Sequence, residues 1–154
     1  MSNKQKGFSL LEAVIVAGLI AVIAAVFLPA FFNTIKNYRA QTSAEQITMN
    51  LRFARMAAVK KRRNYQVTFS ADPTNTYAVL MDENKDGSFE KYPNADTTIP
   101  DGVKILSGGI TSVTFNARGA ATIVGGSTIR VQLTDDFIYR INVLTNGAVS
   151  KQRE

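Results

Sequence analysis

The 154-residue chain contains no cysteine and no histidine. Without them there is no disulfide framework, no Cys/His zinc site, no thiol nucleophile and no histidine-based catalytic triad. Charge is also missing where it would be most expected, because residues 8–32 (FSLLEAVIVAGLIAVIAAVFLPAFF) carry a single formal charge, Glu12. Helix breakers are scarce in the next stretch, and neither glycine nor proline occurs from residue 30 to residue 63. No phosphate-cradling loop is indicated either, since Gly108-Gly109 and Gly125-Gly126 are followed by strand-like sequence rather than by helices. Asp135-Asp136 falls between two predicted strands, where a turn accounts for it. The sequence holds no catalytic constellation, and the reading is of a protein that is not an enzyme.

What is present divides the chain into four parts. Residues 1–7 form a short, polar and basic leader with Lys4 and Lys6. The apolar run of residues 8–32 follows at once. At ~1.5 Å per residue it is ~37 Å long as a helix, enough to cross a ~30 Å hydrocarbon core. Residues 33–63 are basic, with a net charge of +7, and residues 64–154 carry −2 against +6 for the whole chain. After the leader and apolar helix, roughly 120 residues are left for one small domain with a single core.

Glu12 is the anomaly in the apolar run. An acidic side chain at a membrane-helix centre costs roughly 2.5–3.5 kcal/mol, so such a residue needs a partner and a purpose. Gly18 and Pro29 are soft points in the same helix, and Pro29 is expected to kink or locally break it. Beyond it, Ile35, Tyr38, Ala44, Ile47, Leu51, Ala54 and Ala58 recur at three- and four-residue spacing. Met49, Phe53, Met56 and Ala57 are expected to widen this apolar face against a sheet. Lys60-Lys61-Arg62-Arg63 close the helix. Two readings stay open for them, cations complementing the helix C-terminus or a patch, with Arg52 and Arg55, for nucleic acid or acidic partner subunits.

From Asn64 the hydrophobic period changes to two. Tyr65–Ser70 and Tyr77–Met81 begin a series of short strands separated by turn signals, ending at the Asn146-Gly147 hairpin. The expected class is α+β, a long N-terminal helix packed on an antiparallel, sandwich-like β-domain of about seven strands. Asp82, Asn84 and Asp86, followed by Gly87, match the first half of a calcium loop. Its twelfth position is Pro93 rather than a bidentate glutamate, and a hairpin loop uses the same residue types. Calcium is therefore the one metal to be tested, and no other cofactor is implied.

Lys6-Gly7-Phe8-Ser9-Leu10-Leu11-Glu12 resembles the leader junction of type IV pilins and type II secretion pseudopilins. The resemblance implies cleavage by a prepilin peptidase between Gly7 and Phe8, N-methylation of Phe8, and a role for Glu12 in assembly. The new α-amine would neutralise Glu12 of a neighbouring subunit; neutralisation within one helix is the competing arrangement, because Phe8 and Glu12 are four residues apart. Leu51 to Ala58, Thr114 to Gly119, and Ile141 to Val149 resemble segments of the GspH/FimT-like minor pilins and pseudopilins. That resemblance implies a subunit in the bacterial inner membrane with a periplasmic β-domain. Its partners would be other pilins, the assembly platform and the prepilin peptidase, in a secretion pseudopilus or a type IV pilus. A DNA-binding minor pilin for DNA uptake is the alternative, with Lys60, Lys61, Arg62, Arg63, Lys151 and Arg153 as the contacts. DNA-binding relatives carry Gly-Arg-x-Arg in the last hairpin, where this chain has Gly147-Ala148-Val149-Ser150.

Overall fold

A computed structural model of the chain describes residues 9–71, 73–93, 97, 99–100, 102–133 and 137–154. The chain divides into two compact units, Met1–Ile35 and Lys36–Glu154. Helix α1 (Leu10–Lys61) is assigned without interruption through Gly18 and Pro29. Pro29 has no amide hydrogen to offer the Ala25 carbonyl, yet the helix does not break there.

In the second unit the helix buries a narrow face made mostly of small residues. Ala40, Ala44, Ala54, Ala57 and Ala58 are buried with Ile47 and Leu51, so the helix axis can lie close to its neighbours. Two hydroxyls on this face, Ser43 and Thr48, donate to the carbonyls of Arg39 (2.9 Å) and Ala44 (2.7 Å) and so enter the core with their donors satisfied. Tyr38, Met49 and Met56 do not join this face. Each is at least 65% exposed. At 100° per residue all three fall about 140–160° from Leu51, on the solvent side of the helix. Counting apolar residues had widened the expected face beyond what the helical angle allows.

Among the described residues nine strands follow: β1 (Tyr65–Ser70), β2 (Thr76–Met81), β3 (Glu90–Lys91), β4 (Lys104–Ile105), β5 (Ile110–Phe115), β6 (Ala121–Gly125), β7 (Thr128–Gln132), β8 (Ile138–Val143) and β9 (Val149–Arg153). Two-residue β3 has no period to betray it in sequence. The strands form two antiparallel sheets, ordered β3-β2-β1-β5-β6 and β4-β7-β8-β9. Alternation places Tyr65, Val67 and Phe69 of β1 inside, with Val67 opposite Val79 on one side and Val113 on the other. Ile129 faces Ile141 in the second sheet. All these side chains share one core cluster with the buried face of α1.

Polar contacts tie the helix to both sheets. Asn50 Nδ2 donates to the Tyr77 hydroxyl on β2 (2.9 Å), and the Tyr139 hydroxyl on β8 donates to Asn37 Oδ1 (2.9 Å). Asn75, in the β1–β2 turn at φ 46°, bridges to the second sheet: its Nδ2 donates to the Val103 carbonyl and its Oδ1 accepts from the Ile105 amide. The two sheets are thus stitched at a turn as well as through the core.

Candidate assembly surface

The first unit carries the surface that demands an explanation. Leu10, Val14, Ile15, Leu19, Ile20 and Val22 are each at least 60% exposed, and no charged residue occurs between Glu12 and Lys36. A continuous apolar surface of this extent must be covered by lipid or by other apolar helices. The helix is long and apolar enough to cross a membrane. Ser9, Ala13, Ala17, Ala21 and Ala25 recur at intervals of four. That spacing sets small residues in a row that winds about 40° around the helix per step, each adjacent pair allowing helix backbones to approach closely where no hydrophobic driving force separates lipid from protein. Glu12 directly precedes Ala13, is exposed, and has no ion-pair partner among the described residues. Gly7 and Phe8 lie outside the described residues. Thr34 Oγ1 donates to the Ala30 carbonyl (3.0 Å), so the last hydroxyl of this unit is satisfied within the helix.

In the second unit, three segments that lie far apart in sequence meet at Arg55. Its Nε donates to the Gly119 carbonyl (3.1 Å) and its Nη2 to the Asn146 carbonyl (3.0 Å). Arg52 Nη2 donates to the Val149 carbonyl (3.3 Å). The two turns are also bonded to each other, the Ala121 amide donating to the Thr145 carbonyl (2.8 Å). Asn116 and Asn146 shape these turns by accepting backbone amides on their side-chain oxygens. Gly147, at φ 79°, lies so close that a Cβ there would sit 2.1 Å from the Gly119 oxygen and 2.6 Å from Arg55 Nε. Arg55 is therefore a clamp joining the β5–β6 and β8–β9 turns to the helix, which a planar fork of donors suits better than a lysine. Its role was not visible in the sequence, although all three segments it joins stood out. The signal available was a lone Arg on the buried side of a helix together with two glycine turns.

The cations closing α1 do not form one open patch. Arg62 adopts φ 53°, and the Arg63 amide donates back to the Ala58 carbonyl (3.3 Å), so the basic pair forms the helix C-terminal cap. Lys61 Nζ lies 5.5 Å from the Tyr92 ring centre, and Arg63 pairs with Glu83 at 3.9 Å. Lys60 and Arg62 are exposed. At the other end of the domain, Lys151 Nζ meets Glu45 Oε1 at 2.6 Å and lies over Tyr139, while Arg153 lies over Phe137. The six cations weighed as DNA contacts thus belong to two separated groups, four of them engaged locally.

The Lys151 contact gives a pH dependence of defined sign. The hydrogen bond from Lys151, and next that from Gln41, hold the Glu45 carboxyl below its ordinary range. A depressed folded-state value stabilises the fold above the unfolded-state value, and that contribution is lost as pH falls through the folded one. Melting temperatures followed from about pH 6 to about pH 3 should fall less in Lys151→Met than in the parent chain. The difference should be small, because the pair is partly solvated. Parallel pH profiles in the two proteins would contradict it.

Comparison with known proteins adds two family matches. A model of the type II transport protein GspH matches residues 43–147, and a prokaryotic N-terminal methylation motif matches residues 2–28. Among solved structures, the minor pseudopilin EpsH of the Vibrio cholerae type 2 secretion system aligns with a TM-score of 0.60 at 17% identity, over 75% of this chain and 97% of that one. The type IV minor pilin FimU of Pseudomonas aeruginosa aligns with a TM-score of 0.54 at 16% identity, over 73% of this chain and 91% of that one. At these identities the likeness is one of fold.

Proposed function

Because the chain belongs to the GspH family of type II transport proteins, we propose that it is a minor pseudopilin or minor pilin, a structural subunit that enters a filament through its N-terminal helix. The observation that carries this reading is the exposed Glu12, without an ion-pair partner among the described residues, at the start of an exposed apolar helix and inside a matched N-terminal methylation motif. The chain would wait in the inner membrane with its β-domain in the periplasm. Prepilin peptidase would cut between Gly7 and Phe8 and methylate Phe8. In the assembled filament, the α-amine of Phe8 would face Glu12 of a neighbour, so that two groups costly to bury separately enter the apolar interior together. The ladder of Ser9, Ala13, Ala17, Ala21 and Ala25 would give neighbouring helices a close approach. Other pilins and the inner-membrane assembly platform would be its partners.

DNA uptake is not supported as the role. Lys61, Arg63, Lys151 and Arg153 are engaged within the domain, and the last hairpin lacks the Gly-Arg-x-Arg pattern. Deletion of the gene, scored in one strain for exoprotein release and for twitching, assigns the machine. Loss of release alone identifies a secretion pseudopilus, and loss of twitching alone a pilus. Unchanged release, twitching and piliation would overturn the proposal.

A further inference from the structure

The assembly role leaves the loop between β2 and β3 unused. It runs Asp82-Glu83-Asn84-Lys85-Asp86-Gly87-Ser88-Phe89 into Glu90 at the start of β3. Oxygen-bearing side chains stand at its first, third and fifth positions, and Gly87 at the sixth has φ 88°. Asp86 Oδ1 accepts the Ser88 amide at 2.7 Å. These features alone describe a well-made turn.

Asp82 is what a turn does not explain. It is 1% exposed, and its Oδ1 has no hydrogen-bond partner among the described residues. Its own amide is satisfied by the Asn64 carbonyl at 2.9 Å, so the unmet demand is the carboxylate's alone. Arg63, next to Asn64 in sequence, pairs with Glu83 instead, and Lys85 within the loop is exposed. A buried carboxylate oxygen without a donor or a cation is a costly arrangement, and proteins resolve it with a proton, a water or a metal. Here it occupies the first ligand position of a loop whose next donors follow at the spacing that a hard cation uses.

We infer that the β2–β3 loop is a calcium site, with the side chains of Asp82, Asn84 and Asp86 and the carbonyl of Ser88 as its protein donors. Glu90, at the ninth position, stands where such loops place a ligand that often acts through water. No three acidic side chains converge among the described residues. With two carboxylates in the donor set and Pro93 at the twelfth position, the affinity belongs to the weak class of extracellular modules, about 10⁻⁴–10⁻³ M. Magnesium, which demands near-octahedral geometry and keeps several of its waters, is suited poorly by a loop that offers this many protein oxygens at once. Bound calcium would fasten β3, the edge of the first sheet, to the end of β2 beside Asn64.

The full-length protein in detergent micelles, stripped with chelator, tests this. Titrated calcium chloride should raise the melting temperature by about 4 °C at about ten times the dissociation constant. Terbium, sensitised by the chain's five tyrosines, should luminesce and be displaced by calcium. Asn84→Ala, on an exposed position, should abolish the response and leave the calcium-free melting temperature unchanged, while Asp86→Ala should abolish it with a slightly lower calcium-free melting temperature, because the Ser88 amide loses its acceptor. Asp82→Asn should abolish it too, with a calcium-free melting temperature equal to or above the parent's. The inference is overturned by no thermal shift with no displaceable luminescence, by an equal shift with magnesium, or by a response that persists in the Asn84 and Asp86 variants. None of these outcomes bears on filament assembly, which is read in cells.

Discussion

Gly147→Val should lower the stability of the β-domain by about 4 kcal/mol or more and its melting temperature by about 15 °C. Three costs act together. Gly147 sits at φ 79°, where a side chain costs about 1–2 kcal/mol by itself. Its Cβ would lie 2.1 Å from the Gly119 carbonyl oxygen and 2.6 Å from Arg55 Nε, and the first of these is backbone that cannot step aside. Relief of that clash requires the β5–β6 and β8–β9 turns to separate. Arg55 then loses one or both of its carbonyls, at about 1.5–3 kcal/mol for each hydrogen bond from a charged donor. Small domains hold only about 5–15 kcal/mol in total, so the variant should be partly unfolded in cells. Arg55→Ala should cost about 2 kcal/mol, and Arg55→Lys nearly as much, since an ammonium cannot fork to two carbonyls in one plane. Urea unfolding of the three variants checks the order. Gly147→Val matching the parent would show that the two turns do not meet as described.

Glu12→Ala should have opposite effects in the membrane and in the filament. A lone carboxylate is a burden in lipid, so its removal should leave insertion intact or improve it by up to about 3 kcal/mol. In the assembled state the same change leaves a neighbour's α-amine without its counter-charge. Removing one member of a buried pair costs about 3–5 kcal/mol, which corresponds to about 100-fold or more in incorporation at equilibrium. The subunit should therefore accumulate normally in membranes and disappear from the sheared filament fraction. Glu12→Gln should behave like Glu12→Ala, because the amide keeps the shape and loses the charge. Quantitative immunoblots of the two fractions read the ratio. A ratio unchanged in both variants would mean that Glu12 does not act through charge.

How much of this was legible in sequence differs between the two ends. The apolar run, its single carboxylate and the change of period at Asn64 are patterns of composition and spacing, and the helix and β-domain appear where those patterns place them. Strand β3 is not legible in the sequence, because two residues carry no alternation. Met49 and Met56 were placed on the wrong face because apolar character was weighed above helical angle, and their exposure of 65% each corrects it. Arg55 illustrates the harder limit. Its partners, Gly119 and Asn146, are 64 and 91 residues away, and nothing local announces that two turns will close on one guanidinium. Asp82 lies between these cases: the spacing of the loop is readable, but the buried oxygen without a partner among the described residues, which gives it weight, appears only once the fold is known.

The absence of cysteine makes the central claim, assembly through the N-terminal helix, open to a direct measurement. A single Ala17→Cys, in the middle of the row of small residues, would be the chain's one thiol. Oxidative cross-linking in cells that also carry single cysteines at matched positions of their other pilin-like subunits should give a heterodimer. That adduct should require prepilin peptidase, and it should fall by about 100-fold when Glu12→Ala is added to the same chain. A cross-link of equal yield without the peptidase and without Glu12 would contradict the account, as would no cross-link with any pilin-like subunit.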